Sequence, residues 1–268
     1  MRVSCVIPVR DRAKMVCEAI HSVYAQQWPD LEVVVVDDGS VDGSGKEVAT
    51  RYPEVKLVRL SGLGPGPARN AGVDAASGDV IMFLDSDDLW LSGHVQGLLA
   101  VLERGFEVAY GVARTVNLVD DSTFCVPEAD EVREGKVLSD LVRWCFLVPS
   151  ALAITRKAFN ACGGFRDYEF GEDWWFLLQL AARFDFGFAG ATPITDRRLH
   201  DGSICAQADR QTIHSFLNRL HREMLNESWC KPEMAERFSI LKEWVRNQKN
   251  DWATVQDWYL AMREEGMV

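Results

Sequence analysis

The chain has 268 residues, of which 47% are hydrophobic and 10% aromatic, so it can form one large folded domain with an appendage. Its formal net charge of −11, without any basic stripe, argues against nucleic-acid binding, because phosphate backbones attract basic surfaces. The cysteines are scattered and no apolar run approaches membrane-spanning length, so we expect a reduced, cytoplasmic protein, with peripheral contact at the inner membrane face left open.

Strands and helices alternate over the first part of the chain. Short apolar runs bounded by turn residues indicate buried strands, and apolar residues at helical spacing indicate amphipathic helices. The predicted elements are, in order, strand 3–7, helix 13–27, strand 31–36, helix 44–52, strand 55–60, a loop rich in Gly and Pro at 62–67, helix 68–76 and strand 80–84. This alternation predicts a parallel sheet that is covered by helices on both faces.

Acidic residues follow two of these strands directly. Strand 31–36 runs into Asp37 and Asp38, and the fourth strand runs into Asp85 and Asp87. In open α/β sheets the carboxyl ends of the strands border the ligand-binding crevice, and carboxylate oxygens suit Mg²⁺ or Mn²⁺ together with a substrate that carries phosphates. Asp and Ser are also ordinary turn residues, so the pattern is equally compatible with acidic turns that have no ligand.

The second half of the chain is less regular. Its predicted elements are helix 91–104, strand 107–112, a loop or small hairpin over the site at 113–135, helix 136–146, strand 151–155, a Gly-rich turn at 159–165, helix 171–183 and strands 186–189 and 194–199. From residue 207 onward, helical spacing predicts two helices separated by Pro232, and a third that Asp251 caps and that runs to Met262. We expect these tail helices to pack against the chain or to form a homodimer.

Six short motifs occur in a fixed order along the chain. They are Ile7-Pro8-Val9-Arg10-Asp11-Arg12, Asp37-Asp38-Gly39-Ser40, Ala68-Arg69-Asn70-Ala71-Gly72, Phe83-Leu84-Asp85-Ser86-Asp87-Asp88, Gly163-Gly164-Phe165 and Glu172-Asp173. In this order they resemble the family 2 glycosyltransferases of the GT-A fold. The resemblance spans residues 2–203, and the tail lies outside it.

The resemblance implies an α/β fold in the GT-A (Rossmann-like) arrangement, with a mostly parallel sheet flanked by helices and a C-terminal helical extension. Residues 1–205 would form the glycosyltransferase domain. Within it, residues 1–112 would be the nucleotide-sugar-binding half and residues 113–205 the acceptor half. Residues 206–268 would form the helical extension.

The resemblance also implies an enzyme that moves a sugar from a nucleotide diphosphate sugar, with UDP-sugar preferred, to a saccharide, lipid-linked or protein acceptor with inversion at the anomeric carbon. Assembly of bacterial surface polysaccharides or glycans is the expected context. A divalent cation, Mn²⁺ or Mg²⁺, is the implied cofactor, because it neutralises the departing diphosphate without a proton. An inverting displacement also needs a group on the opposite face of the sugar to take the acceptor's proton.

Catalytic and metal-binding roles carry over from the matching motif positions. Asp173 would be the general base, with Glu172 beside it. We expect the helix dipole to favour the charged form of Asp173. Asp87 would ligate the cation, with Asp85 and His200 as further candidates for the metal shell.

Donor-binding roles are expected at the strand ends. Asp38 would hydrogen-bond the nucleotide base, and Arg69 would lie near the base or the phosphates. The other residues implied to contact the donor are Pro8, Val9, Arg10, Asp11, Asp85 and Ser86. Where some family members have an aromatic residue that stacks on the base, this chain has Arg10, whose guanidinium can also stack on a planar ring.

Several of these residues have simpler explanations. Acids are favoured in the first turn of any helix, so Glu172 and Asp173 are also compatible with a structural role. A single histidine such as His200 is often only a hydrogen-bonded polar residue. Of the adjacent Trp174 and Trp175, one is expected in the core and the other is a candidate acceptor platform, since sugars stack on aromatic faces.

Two other functions are compatible with parts of the pattern. A sugar-1-phosphate nucleotidyltransferase would share the Rossmann-like half and the metal-binding Asp, but residues 8–12 lack the glycines of a phosphate-gripping loop. A non-catalytic nucleotide-binding scaffold would use the helical tail for interactions, and the presence of both Asp87 and Asp173 argues against it. Pyrophosphate release would identify the first alternative, and donor hydrolysis would exclude the second.

Overall fold

The structure is a computed structural model that describes residues 1–168, 170–204, 208–248 and 255–265. Within these residues nine strands form one sheet. The strands are β1 (Val3–Val9), β2 (Leu31–Asp38), β3 (Lys56–Leu60), β4 (Val80–Phe83), β5 (Leu89–Trp90), β6 (Val108–Asn117), β7 (Thr123–Val126), β8 (Leu152–Thr155) and β9 (Phe186–Leu199). Their order across the sheet is β3-β2-β1-β4-β8-β6-β9-β5, with β7 paired to β6.

Ten α-helices flank the sheet in the described part of the chain. They are α1 (Ala13–Tyr24), α2 (Ser44–Arg51), α3 (Pro65–Ala75), α4 (His94–Glu103), α5 (Leu138–Leu141), α6 (Arg156–Cys162), α7 (Glu172–Ala181), α8 (Arg210–Met224), α9 (Pro232–Asn247) and α10 (Val255–Glu264), with a 3₁₀ turn at Pro149–Ala151. The predicted α/β class is confirmed. The predicted cap at Asp251 and the predicted domain boundary after residue 205 lie outside the described residues. Among the described helices, none combines the length and the hydrophobicity needed to cross a bilayer.

Parallel pairing brings the carboxyl ends of three strands to one edge of the sheet. β1 lies between β2 and β4 and is parallel to both, with Val9 beside Asp37 and Val6 beside Phe83. Val33 to Val36 of β2 and all of β4 are almost fully buried, which explains the apolar runs of these strands in the sequence. As a result, the polar residues that follow β1, β2 and β4 lie beside one another.

The second half of the sheet mixes strand directions. β8 runs antiparallel to β4, with Val80 opposite Thr155, so β8 begins near the carboxyl end of β4. β6 pairs antiparallel with β8 and parallel with β9. The predicted parallel arrangement therefore holds among β1, β2, β3 and β4, and the later strands run in both directions.

Alternate residues of β2 face two separate cores. Val33 and Val35 belong to a core with α1 and α4, whereas Val34 and Val36 belong to a core with α3 and α7. The second core continues into the tail through Ile213, Phe216, Leu217, Leu220, Met224, Phe238, Leu241 and Val245. The apolar spacing of the tail helices is thus explained by packing within the chain, and the predicted homodimer stays a prediction.

Helix α3 begins inside the segment predicted as a loop at 62–67. Pro65 occupies the first turn of the helix, where the missing N–H of proline costs nothing, and Gly64 precedes it with a φ of +95°. The Gly- and Pro-rich composition therefore marks a helix start, and the predicted start at residue 68 is wrong.

The turn predicted at 159–165 is wrong over most of its length, because α6 covers it as far as Cys162. The side chain of Thr155 caps this helix by accepting the N–H of Ala158 at 3.2 Å. The helix ends at Gly163, which has a φ of +74° that favours glycine.

Three other predicted segments can be compared with the structure. The helix predicted at 136–146 is reduced to the single turn of α5. The strands predicted at 186–189 and 194–199 are continuous as β9, whose register with β6 shifts near Val112. The small hairpin expected within 113–135 is confirmed, since β6 pairs with β7 there.

Candidate active site

One large cavity opens at the edge of the sheet where β1, β2 and β4 end, and its volume is about 1010 Å³. Every residue with a predicted catalytic, metal-binding or donor-binding role lines this cavity: Pro8, Val9, Arg10, Asp11, Asp38, Arg69, Asp85, Ser86, Asp87, Glu172, Asp173 and His200. Asp87 and Asp173 therefore open into the same space, as a shared substrate requires. The volume lies at the upper end of the range that is usual for ligand sites.

Arg69 joins two walls of the cavity. It lies on α3, is 4% exposed, and donates from Nη1 to Glu172 Oε1 and from Nη2 to Asp85 Oδ1, each at 2.5 Å. The guanidinium carbon also lies 5.3 Å from the centre of the Phe165 ring. Burial alone would lower the pKa of Arg69, but the two carboxylates outweigh burial and raise it. Arg69 is therefore a fixed cation between two acids, and its predicted contact with the nucleotide stays a prediction.

Glu172 and Asp173 form the first turn of α7. Gly171 precedes them with a φ of +74°, and a Cβ added there would overlap the ring of Phe216 on α8. Burial raises the pKa of Glu172 to about 7, although Arg69 opposes this change. Burial also raises the pKa of Asp173. Removal from water thus opposes the expected effect of the helix dipole on the pKa of Asp173, and the charged state of this carboxylate stays a prediction.

The two carboxylates differ in what they contact. Glu172 is 7% exposed and is paired with Arg69, whereas Asp173 is half-buried and accepts the N–H of Trp174 with Oδ1 at 2.7 Å. Among the described residues, no side chain donates to Oδ2 of Asp173. Of the pair, Asp173 is the carboxylate that a substrate hydroxyl can approach.

Asp87, His200 and Arg12 form a polar cluster in the same cavity. Nδ1 of His200 accepts the N–H of Gly202 at 3.1 Å, so the ring proton belongs on Nε2, which donates to Asp87 Oδ2 at 3.1 Å. Nη2 of Arg12 lies 3.4 Å from that oxygen. Burial raises the pKa of Asp87, but the hydrogen bond from His200 and the charge of Arg12 outweigh it and hold that pKa below its usual value.

The side chains of this cluster can hold a divalent cation only if a bound substrate supplies further coordinating atoms. Asp87 supplies a carboxylate oxygen, whereas Nε2 of His200 carries the ring proton and could bind Mn²⁺ only after that proton moves to Nδ1, with loss of the bond from Gly202. Asp85 is paired with Arg69 instead, and this pairing competes with its predicted place in the metal shell. In the described ranges, no group of three or more His, Cys, Asp or Glu side chains could hold a metal ion. Diphosphate oxygens would have to complete the coordination.

Asp38 is hydrogen-bonded to the loop that precedes α3. Its Oδ1 accepts the N–H groups of Gly62 and Leu63 at 3.1 and 2.7 Å, and its Oδ2 accepts that of Gly64 at 2.8 Å. The guanidinium of Arg10 lies beside Gly62. These bonds give Asp38 a structural role at the cavity wall, and its predicted contact with a nucleotide base stays a prediction.

A buried group of polar side chains behind Asp87 has no counterpart in the sequence-based predictions. Ser150 Oγ donates to Asp88 Oδ2 at 2.6 Å and accepts the N–H of Asp85 at 3.1 Å. Asp88 Oδ1 accepts the N–H of Arg198 at 3.0 Å, so this group ties the turn after β4 to the end of β9. Asp88 could have been found as the last acid of its motif, whereas Ser150 lies between apolar residues and carries no signal.

Both tryptophans that follow Asp173 are core residues. Trp174 and Trp175 are 3% and 2% exposed, and Trp174 Nε1 donates to the carbonyl of Leu141 at 2.6 Å. The expectation that one of them forms an acceptor platform is therefore wrong, because neither ring offers a sugar an accessible face.

Known proteins share this sequence pattern. Residues 4–163, more than half of the chain, match the model of the family described as glycosyl transferase family 2, and the chain therefore belongs to that family. An uncharacterized glycosyltransferase of Nostoc sp. is 34% identical over 173 residues, which are 60% of this chain and 52% of that protein. The amylovoran biosynthesis glycosyltransferase AmsB of Erwinia amylovora is 28% identical over 169 residues, 58% of this chain and 55% of that protein. The chain thus spans about half the length of these relatives.

Two solved structures share the fold. TarS 1–349 of S. aureus in complex with UDP-GlcNAc matches with a TM-score of 0.71 and 19% identity, over 89% of this chain and 70% of that chain. The mannosyltransferase PcManGT from Pyrobaculum calidifontis in complex with GDP-Man and Mn²⁺ matches with a TM-score of 0.67 and 20% identity, over 91% of this chain and 71% of that chain. These neighbours confirm the predicted GT-A fold.

Proposed function

We propose that this chain is an inverting glycosyltransferase that moves a sugar from a nucleotide diphosphate sugar, a UDP-sugar, to a saccharide, lipid-linked or protein acceptor. The observation that carries the proposal is that Asp87 with His200 and the half-buried Asp173 line one cavity at the edge of the sheet. Membership in glycosyl transferase family 2 supports the reaction class. The name of the amylovoran relative supports a role in polysaccharide assembly.

The donor's diphosphate would lie beside Asp87 and His200. Asp87, together with Nε2 of His200 once its proton has moved to Nδ1, would hold the divalent cation, which offsets the negative charge that gathers on the departing diphosphate. Support comes from the fold neighbours, one bound to UDP-GlcNAc and the other to GDP-Man and Mn²⁺. Arg12 adds a positive charge at the same place, since it lies 3.4 Å from Asp87.

Asp173 would take the proton of the acceptor hydroxyl. In a single displacement, the hydroxyl oxygen bonds to the anomeric carbon while the bond from that carbon to the phosphate oxygen breaks. The nucleoside diphosphate leaves with the electron pair of that bond, and the hydroxyl proton passes to Oδ2 of Asp173. Burial raises the pKa of Asp173, and this brings the carboxylate closer to the basicity that an acceptor of protons needs near neutral pH.

Arg69 would position these groups rather than react. Because it bonds both Asp85 and Glu172, it holds the turn after β4 at a fixed distance from the first turn of α7. Its charge also favours the ionised form of Asp173, which is the form that can accept a proton.

Analysis of the products tests the proposal. The protein is incubated with Mn²⁺ and UDP-glucose, UDP-N-acetylglucosamine or GDP-mannose, and we expect release of the nucleoside diphosphate from at least one of them. Water is the nucleophile in this assay, so proton NMR in the first minutes should show the released sugar with an inverted anomeric configuration before it mutarotates, and initial release with retention would contradict a single displacement. Pyrophosphate release from a nucleoside triphosphate and a sugar 1-phosphate would identify a nucleotidyltransferase. Donor binding without any turnover would identify a scaffold.

A further inference from the structure

The turn that carries Asp87 is tied at both ends to a single buried hydroxyl. Ser150 lies in the 3₁₀ turn before β8 and is fully buried. Its Oγ donates to Asp88 Oδ2 at 2.6 Å and accepts the N–H of Asp85 at 3.1 Å. The N–H of Asp88 also donates to the carbonyl of Asp85 at 2.9 Å, which closes the turn. The shape of the backbone at residues 85–88 therefore depends on the hydroxyl of Ser150.

Arg198, near the end of β9, holds the same turn through its backbone and its side chain. Its N–H donates to Asp88 Oδ1 at 3.0 Å, and its Nε donates to the carbonyl of Asp87. Nη1 of Arg198 donates to Glu18 Oε2 on α1 at 2.6 Å, so the guanidinium is itself anchored. Asp88 is 2% exposed, and both of its carboxylate oxygens accept bonds from the protein. Its carboxylate therefore serves to join the turn to β9.

The side-chain contacts of the Asp87 carboxylate lie where a cation would bind. Nε2 of His200 at 3.1 Å and Nη2 of Arg12 at 3.4 Å both approach Oδ2. A cation bound at this oxygen competes with both, because the ring proton and the guanidinium charge already occupy its approach. The direction of the Asp87 carboxylate then depends more strongly on the backbone to which it is attached, and thus on Ser150 and Asp88.

We propose that Ser150 and Asp88 are positioning residues that direct the Asp87 carboxylate toward the donor's diphosphate and its cation. This proposal rests on the proposed function and adds to it the residues that set the geometry of its donor side. Loss of a group that orients a metal ligand commonly costs about 10- to 100-fold in metal affinity. The hydroxyl of Ser150 is neutral, so its removal changes how the turn is held without removing a charge near the cation.

The test compares Ser150→Ala with Ser4→Ala as a matched control. Ser4 is also fully buried, and its Oγ donates to Glu32 Oε1 and accepts the N–H of Gly78 at 2.8 Å. This serine therefore makes the same pair of bonds, to a carboxylate and a backbone N–H, but it lies near the start of β1 and does not line the cavity. Each substitution removes a bond from a buried carboxylate, so both proteins should unfold at a lower temperature than wild type.

Binding of Mn²⁺ in the presence of UDP is the readout that a merely structural role would not change. It is measured by EPR titration at a temperature at which circular dichroism shows every variant to be folded. We expect the Kd for Mn²⁺ to rise about tenfold in Ser150→Ala and to stay unchanged in Ser4→Ala. Ser150→Cys, whose thiol is a weaker donor and acceptor, should fall between Ser150→Ala and wild type. Asp88→Asn should also raise the Kd, and its effect should combine with that of Ser150→Ala to less than their product, because the two residues share one bond.

Equal Kd values for wild-type and Ser150→Ala protein would overturn the proposal, and so would an equal rise in Ser4→Ala, because the effect would then follow from stability. Should Ser150→Ala not fold, wild-type affinity in folded Ser150→Cys and Asp88→Asn proteins would overturn it. Wild-type protein that binds UDP without any dependence on Mn²⁺ would also overturn it, since there would be no cation to face. Release of UDP from a UDP-sugar tests the proposed function separately, because transfer by the wild-type protein can persist when the positioning role is disproved.

Discussion

The two sides of the cavity are built in different ways. The donor side consists of turns at the ends of neighbouring parallel strands, so the sheet register places its polar residues together. The proposed acceptor side is assembled from α7, the segment around Trp144 and the tail helices, which meet through packing and a hydrogen bond from Trp174 to Leu141. Arg69 bonds to both sides. The comparison indicates that acids at the strand ends, which are visible in the local sequence, define the position of the donor side. The position of the acceptor side depends instead on packing between residues that are far apart in the sequence.

Replacing the proposed base should have the largest effect. In Asp173→Asn the side chain keeps its shape but cannot take a proton, so we expect kcat to fall by about 10²–10⁴ while the KM for the donor stays the same. Steady-state assays with a UDP-sugar measure both constants. Asp74→Asn, an exposed site on α3, is the matched control and should retain full activity. Undiminished transfer by Asp173→Asn would place the base elsewhere.

Weakening the proposed metal cluster on the donor side should come next. We expect Asp87→Ala to lower kcat/KM by about 10²–10³, because the diphosphate loses its cation and a directly placed charge. His200→Ala should cost about tenfold and should raise the Mn²⁺ concentration that gives half-maximal activity. Activity titrations with MnCl₂ measure these effects. An Asp87→Ala protein with wild-type Mn²⁺ dependence would remove Asp87 from the cation site.

Removal of Arg69 should affect both sides at once. Arg69→Met leaves the carboxylate of Glu172 buried without its partner and that of Asp85 unpaired but partly exposed, so we expect the free energy of unfolding to fall by about 3 kcal/mol. Arg69 also lowers the pKa of Asp173, so its removal raises that pKa and the base is protonated up to a higher pH. The acid limb of the kcat profile should then move to higher pH.

Arg69→Lys keeps the charge but loses the paired geometry, and it should move the acid limb less than Arg69→Met does. Urea denaturation and pH–rate profiles measure the two effects. If the acid limb stays at the same pH in a folded Arg69→Met protein, the charge of Arg69 does not act on the base.

Substitution of two glycines that precede helices can distinguish the cost of a steric clash from the cost of backbone strain. Gly171 and Gly93 both precede helices, with φ of +74° and +83°, but only Gly171 lies against another side chain, the ring of Phe216. Gly93→Ala should cost about 1–2 kcal/mol of stability from its backbone conformation alone. Gly171→Ala should cost about 1–3 kcal/mol more, because the new Cβ overlaps Phe216. Equal losses in thermal unfolding would show that α8 does not hold the start of α7.

The donor side could be predicted from the sequence because its signals are local. Apolar runs that end in Asp38 and Asp87 indicate both the strands and the edge at which their acids meet. The acceptor side lacks such signals, since its contacts join residues far apart. The Arg69–Glu172 ion pair spans 103 positions, and the bond from Trp174 to Leu141 spans 33.

The sequence also misled where burial outweighs local propensity. A helix start favours an ionised acid, but packing of α7 against the core removes Asp173 from water and raises its pKa. Trp144 belongs to a predicted helix that is short in the structure, and Trp174 and Trp175, one of which was the candidate platform, are both buried. Trp174 packs against Phe216 and Phe238 of the tail helices, for which the family motifs give no information.

The most direct test is calorimetric titration of UDP, in the presence of Mn²⁺, into wild-type, Asp87→Ala and Asp173→Asn proteins. It tests whether the cavity is divided into a donor side that binds the cation and an acceptor side that carries the general base. We expect Asp173→Asn to bind UDP as wild-type protein does, and Asp87→Ala to lose the part of the binding that depends on Mn²⁺. Loss of UDP binding in Asp173→Asn, or unchanged Mn²⁺-dependent binding in Asp87→Ala, would contradict that division.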